Sequence, residues 1–479
     1  MSRMSRYIQR EAVKQFSMIP MCLDDMITSD NPVRAIGTIV EHMNIETLGF
    51  THSDIKSTGR NPYDPEDMFK LFAYSYYNGI RSSRKMEQEC HRNIELMWLI
   101  GKLAPDFKTI ANFRKDNKEA VQKAFYRFGG ICGELGLISK EMVAIDGSKF
   151  RANNARGSWF NKKKITKQLE YYHSSADKYL QLLASCDENE DKCGRNTLPA
   201  KDLNEKVTYI NSQIEKLEAL GDTVQKEGEV STNDSDSKIM KMNNGGCGVC
   251  HNVQIAVDAK SHIVVALDVT NQAGDKEQLF HIAELAKDKL KVASLTVLAD
   301  KGYYTASEFA KCKDIDVVPI VSKAKNEKSA PNKNYSKINF IYDQEQDCYI
   351  CPQGHLLPHK ARRLTSKTPG SRYSNPKVCK ACPVKTLCTT NKYRCIFDQP
   401  FQRYADEVDA TTKANISLYK KRQEIVEHPF GTVKRGLGFT HFLTVGTENV
   451  RTESMLHFLA YNLKRAINMV GVQKILGVL

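Results

Sequence analysis

Nowhere in the 479-residue chain is there a run of about 18 apolar residues, so no segment qualifies as a membrane-crossing helix. The opening residues, MSRMSRYIQREAVK, also lack the apolar core of a secretory signal, and a cytoplasmic location is expected. Acidic residues are the scarcer charge, with Asp+Glu 56 against Lys+Arg 70 and a net charge of +14. That surplus calls for a polyanionic partner, and with no membrane segment the partner is expected to be nucleic acid. Cysteine is not scarce, at 14 residues. Thiols stay reduced in the cytoplasm, so clustered ones suggest metal rather than disulfides. Hydrophobic content of 41% and charged content of 26% are ordinary for a folded protein. The length exceeds one core and implies two to four domains.

Residues 1–137 read as an all-α domain. DNPVRAIGTIVEHMNI offers Asp30 or Asn31 as a cap, with an apolar stripe through Ile36, Ile39 and Met43. PEDMFKLFAYSYYNGI starts with Pro65 at a first helical position. Residues 138–322 read as an α/β unit interrupted by a charged helical hairpin within 155–240, its inner faces marked by Ile165 and Leu169 and by Ile210 and Leu217. The unit's strands are MVAIDGSKFRA, HNVQIAVDA, HIVVALDVTN, SLTVLAD and DVVPIVS. An amphipathic helix, KEQLFHIAELAKDKLK, lies between the third and the fourth. This order predicts a mixed five-stranded sheet flanked by helices. Residues 323–405 break the pattern with Cys, Pro, Lys and Tyr, and helices return over 406–479.

Two apolar runs end in aspartate, Asp146 in VAIDG and Asp300 in VLADK. Neighbouring parallel strands would bring both to one sheet edge, where α/β sheets bind ligands. Glu427 follows on a basic, helix-like segment, YKKRQEIVEHPFGTVKR. An aspartate at a strand end is ordinarily a turn residue or cap. Three carboxylates in this order on a basic chain instead suit two divalent cations, Mg²⁺ or Mn²⁺, acting in phosphoryl transfer. Glu424, nearly on the same helix face, is the rival for the third position. Pro429 should bend the helix just after the glutamate. Asp275, in VTNQAGDKEQ, is read first as a helix cap and second as a group behind the metal ligands.

The motifs PYDPEDMFKLFAYSYYNGIRSSRKMEQEC, AIDGSKF, HNVQIAVD, LADKGYY and VEHPFGTVKRGLGF span nearly the whole chain. With them the chain resembles a DDE-class transposase of bacterial insertion sequences. The resemblance implies a ribonuclease-H-like catalytic core with an N-terminal helical DNA-binding domain, and Asp146, Asp300 and Glu427 as its catalytic triad. It makes the 155–240 hairpin and the 323–405 Cys-rich segment insertions, with 406–479 completing the core. It implies double-stranded DNA, both element ends and target, as the partner, a homodimer in a synaptic complex, and association with the bacterial nucleoid. Tyr419, Arg422, Lys434 and Arg435 resemble the family's Tyr–Arg–Glu–Lys helix that holds DNA near the cut. Arg422 departs from that pattern: it precedes Glu427 by five residues rather than four, and Gln423 holds the usual place.

The expected reaction is metal-dependent cleavage at element ends followed by strand transfer, with water or a freed 3′-hydroxyl attacking in line and no covalent protein–DNA intermediate. The alternatives are an inactive transposase-derived DNA-binding protein and a nuclease of the same fold. In the Cys-rich segment, CYIC and CKACPVKTLC supply Cys348, Cys351, Cys379, Cys382 and Cys388. Paired CxxC turns can make a tetrahedral zinc site, expected from Cys348, Cys351, Cys379 and either Cys382 or Cys388. Basic side chains crowd the same segment, among them Lys360, Arg362, Arg363, Lys367, Arg372 and Arg394, and would give salt-sensitive phosphate contacts. No helix-turn-helix signature stands out in the N-terminal domain.

Overall fold

Short polar side chains ahead of proline start the first helices of the protein. In the computed structural model, which describes residues 22–51, 62–154, 158–187, 200–242, 245–323, 331–363, 370–398 and 401–479, Asn31 accepts from the Val33 N–H at 2.9 Å and opens α1 (Pro32–His42). Asp64 does the same for α2 (Pro65–Tyr77), accepting from the Glu66 N–H at 2.8 Å. Each cap satisfies one of the amides that a helix start leaves open, and each proline occupies a position with no amide to lose. Helices α3 (Ser83–Arg92), α4 (Ile94–Leu99) and α5 (Phe107–Asp116) follow. Ile36, Ile39, Phe69, Leu96 and Ile110 are buried, and Phe50 stacks on Phe113 at 5.5 Å.

The chain divides into two units, residues up to Ala124 with Leu463–Leu479, and Phe125–Asn462. The C-terminal helix Val472–Val478 packs on α1, burying Val472 and Ile475, and Gln473 donates to the Ser29 carbonyl at 2.5 Å. Residues 463–479 therefore complete the helical unit. The expectation placed all of 406–479 with the catalytic core; residues 463–479 group with the helical unit instead.

The second unit starts within α6 (Lys118–Glu134), and its first strand is β1 (Met142–Arg151). The insertion comprises β2 (Trp159–Asn161), α7 (Lys162–Asp187), α8 (Ala200–Glu227) and β3 (Glu229–Ser231). Its helices pair as the apolar spacing predicts, with Ile165, Val224 and Val230 forming a small core. The connecting loop, 188–199, lies outside the described residues.

The main sheet then continues with β4 (Lys238–Lys241), β5 (Cys247–Asp258), β6 (Val264–Thr270), α9 (Leu279–Leu290), β7 (Leu295–Ala299), α10 (Ala306–Asp314) and β8 (Val317–Val321). All five expected strands form, and β4 adds a sixth. The order is β4-β5-β1-β7-β8, with β6 also on β5. β5 runs antiparallel to β1, while β1, β7 and β8 are parallel.

Residues 323–405 make their own five-stranded antiparallel sheet of β9 (Ile341–Asp343), β10 (Cys348–Ile350), β11 (Leu356–Arg363), β12 (Gly370–Ser374) and β13 (Cys395–Asp398). Short helices α11 (Pro376–Ala381) and α12 (Lys385–Cys388) precede β13. The side chains of Arg362, Arg363 and Lys367 lie outside the described residues.

Helices α13 (Gln402–Ala414), α14 (Ile416–Gly431) and α15 (Thr447–Val470) follow. On one face of the main sheet, Val143, Ile145, Val297 and Ala299 pack with Ile282 and Ala283 of α9, Phe309 of α10 and Val408 of α13. On the other, Phe150 stacks on Phe439 at 4.5 Å and meets Phe430 of α14. Asn462 of α15 exchanges hydrogen bonds with the Val264 backbone at 2.9 and 2.8 Å, closing that part of the β6 edge.

Candidate functional site

The parallel register of β1 and β7 pairs Ile145 with Ala299, so the next residues, Asp146 and Asp300, stand side by side. β7 stops there because the Asp300 side chain accepts from the Gly302 N–H at 2.5 Å and caps a turn over Lys301–Tyr303. β1 does not stop. Its other neighbour, β5, stays paired as far as Arg151 with Cys250. Asp146 is therefore a mid-strand residue, not the strand end that was expected. It lies where β1 loses its neighbour on the β7 side, which opens a notch for both carboxylates.

Burial pushes the Asp146 carboxyl up to about 6. The Arg422 guanidinium and the Gly147 N–H, at 3.0 Å, pull it down, while the charges of Asp300 and Asp275 push it up further. A carboxyl held in this way is often a working group.

Asp275 is not a helix cap, since α9 starts only at Leu279 with Gln278 in the cap position. It accepts from Asn252 Nδ2 and Gln254 Nε2, both at 2.8 Å, and Lys149 Nζ lies 3.6 Å away. Tyr303 donates its hydroxyl to Gln254 Oε1, fixing the amide from behind. Asn252 and Gln254 are both 0% exposed, between the buried apolar residues of β5. That anomaly was visible in HNVQIAVD, because buried amides need polar partners. Gly147 makes the arrangement fit. A Cβ there would lie 2.2 Å from Gln254 Nε2 and 2.9 Å from Asp275 Oδ1.

Helix α14 packs across β1, β5 and β7 through Ile425, Val426, Pro429 and Phe430. Arg422 is half-buried, and its charge acts on Asp146 despite its shifted spacing. Glu427 is exposed and accepts from Gln423 Nε2 at 2.7 Å; Glu424 is exposed as well. The structure therefore brings Asp146, Asp300, Asp275 and Arg422 together, and leaves Glu427 turned to solvent. Pro429 lies inside the helix, two residues after Glu427. α14 runs on to Gly431, and a π-helical turn over Thr432–Gly436 follows. In that turn Lys434 faces the sheet, donating to Ser148 Oγ at 2.6 Å and to the Lys149 carbonyl at 3.2 Å, with its ammonium 4.4 Å from the Phe150 ring centre. Burial draws that ammonium below the usual lysine range. Arg435 is exposed and Tyr419 half-buried.

The donor set at the notch is all carboxylate oxygen, the chemistry that hard divalent cations prefer. A cation there would relieve the repulsion that raises Asp146. Among the described residues no three His, Cys, Asp or Glu side chains converge closely enough to hold a metal ion. The notch thus fits the group through two carboxylates, without an assembled third.

Comparison with known proteins adds two family matches. Residues 21–116 match the profile of a transposase domain (DUF772), and residues 350–467 match a transposase DDE domain. No curated protein matches the chain. A cryo-EM structure of a piggyBac transposase synaptic complex with hairpin DNA is similar over 92% of this chain and 75% of that one, at 8% identity. Its TM-score of 0.29 is too low to define a common fold. Both matched stretches are transposase domains, the second of DDE type, so the comparisons support a DDE-class transposase. No helix among its described residues is long and apolar enough to cross a membrane.

Proposed function

We propose that Asp146, Asp300 and Glu427 are the catalytic carboxylates of a ribonuclease-H-like core that cleaves the ends of a mobile element and joins them to target DNA. The observation that carries this reading is the placement of Asp146 and Asp300 next to the last pair of two parallel strands, beside the Arg422 charge. The strand sequence β6-β5-β1-β7-β8, with β5 alone reversed, supports the fold assignment. Mg²⁺ or Mn²⁺, when bound, supplies Lewis-acid stabilisation of the attacking and departing oxygens. Asp146 and Asp300 would hold it. Glu427, on a surface turn of α14, would join them once DNA lies across the notch.

Arg422 and Arg435 supply positive charge for the phosphates. Lys434 holds the β1 backbone at Lys149 and is spaced to meet a phosphate beside Asp146. The helical unit would recognise the element ends, and a homodimer would bring two ends together. The basic, Cys-rich insertion would add contacts to the DNA backbone.

Cleavage of DNA carrying the element's own borders, with and without Mg²⁺, tests the reading. Asp300→Asn should keep its fold and DNA binding and lose cleavage by several orders of magnitude. Near-normal cleavage by that variant refutes the assignment. Glu427→Gln should fail likewise while Glu424→Gln works, and the reverse result moves the third carboxylate to Glu424. Cutting without joining would make the protein a nuclease. DNA binding without any cutting by the parent chain would make it a binding protein derived from a transposase.

A further inference from the structure

Four of the five clustered cysteines surround one small cavity in the insertion. Cys351, Cys379, Cys382 and Cys388 line a space of about 30 Å³, with His355 and Arg394 also in its wall. Cys348 is not part of that lining. It is buried in β10, three residues before Cys351, and its neighbouring charges are those of Asp343 and Asp347. Cys351 lies past the end of β10, in the turn that follows, and lines the cavity, whereas Cys348 is held within the strand.

The backbone around the cavity has the turns that present sulfur ligands. The Gly354 N–H donates to the Cys351 carbonyl at 2.8 Å and the Cys351 N–H to the His355 carbonyl at 2.9 Å, making a tight turn with Gly354 at a φ of 76°. On the other side, Cys379 lies in α11, Cys382 directly after it, and Cys388 ends α12. Cys351 and Cys388 both pack, partly buried, against the apolar core of the insertion. Arg394 donates to the Cys388 carbonyl at 3.5 Å, yet its Nε is buried with no hydrogen-bond partner among the described residues. A guanidinium with a spare buried donor, in the wall that the four thiols share, is in place to offset negative sulfur. The insertion also has little else to hold it. Its core comprises Phe340, Tyr349, Leu357, Tyr373 and Ile396. A sheet with so small a core needs a staple.

We propose that Cys351, Cys379, Cys382 and Cys388 bind one structural zinc ion that closes the insertion, with Cys348 as a core residue rather than a ligand. Four sulfurs, one from the turn after β10 and three from α11, its C-terminal end and α12, match the closed tetrahedral sites that zinc favours. All four cysteines are free. Each thiol that becomes a ligand gives its proton to solvent. The sulfurs ring the cavity without closing on one point, so binding would draw α11 and α12 towards the β10–β11 turn.

Elemental analysis of the purified full-length chain tests this. The expected content is about one zinc per chain. Cys379→Ser and Cys388→Ser should lower it to near zero, while Cys348→Ser and Cys395→Ser keep it. Because a ligand variant could lose zinc by misfolding, the parent chain is also stripped and refilled with Co²⁺. The intense sulfur-to-cobalt charge-transfer bands of a tetrahedral thiolate site should appear, and Cys348→Ser should leave them unchanged. A parent chain with neither zinc nor these bands overturns the proposal. So does loss of metal in Cys348→Ser as complete as in Cys379→Ser.

Discussion

Replacing Gly147 with alanine tests how the polar layer behind the carboxylate notch is packed. The new methyl would stand 2.2 Å from Gln254 Nε2 and 2.9 Å from Asp275 Oδ1, both well inside contact distance. Gln254 is wholly buried in β5 and cannot swing into solvent. It must therefore give up its bond to Asp275 at 2.8 Å, its bond from Tyr303, or both. A hydrogen bond to a charged acceptor contributes about 1.5–3 kcal/mol, and a buried hydroxyl left without a partner costs about 1–3 kcal/mol. Alanine in place of glycine within a strand returns roughly 0.5–1 kcal/mol of backbone entropy. The net expectation is a loss of about 2–5 kcal/mol. Urea unfolding followed by circular dichroism reads it as a lower midpoint with an unchanged slope. Gln254→Ala in the same background removes the nearest obstacle, so the double variant should lose less than the sum of the two single losses. A Gly147→Ala midpoint equivalent to within about 0.5 kcal/mol of the parent would refute the packing argument.

Two further predictions concern charge. Asp275→Asn removes one of the charges that raise Asp146, so the Asp146 carboxyl should titrate below about 6 in the metal-free variant; carboxyl NMR reads this, and an unchanged or higher value would contradict the arrangement. His281 is raised by its 2.6 Å bond to Asp268, and Asp268 is lowered chiefly by that same bond and by Arg451, against its own burial. The histidine's contribution to stability is complete below its unfolded value of 6.5 and fades as pH rises through its higher folded value. The aspartate's contribution is present above 3.8 and fades as pH falls through its lower folded value. Thermal unfolding of His281→Gln should therefore show a shallower loss of stability above neutral pH than the parent, and parallel profiles would dismiss the pair as a contributor.

Much of this protein is written in local chemistry. Alternation and apolar runs set five of the six strands of the main sheet, and Asn31 and Asp64 cap their helices through bonds two residues long. The charge surplus and the order of Asp146, Asp300 and Glu427 pointed to phosphate chemistry before any fold was known. Register and packing decided the rest. Asp146 meets Asp300 only because β1 pairs in parallel with β7, and no local pattern states which strands will pair. Asp275 joins them because Gly147 leaves room and two amides of β5 reach it, contacts between segments more than a hundred residues apart in part. The π turn after α14 rotates Lys434 onto the sheet, although even helical spacing would have left it on the same face as Glu427. Cys348 is held in β10 while Cys351, just past the strand, lines the cavity with three sulfurs from a distant segment, and the C-terminal helix joins α1 because its apolar face finds cover there. The sequence determines which residues can do chemistry and which segments bury one face. Only the tertiary structure decides which of them meet, because pairing and packing energies are summed over contacts that the chain order does not contain.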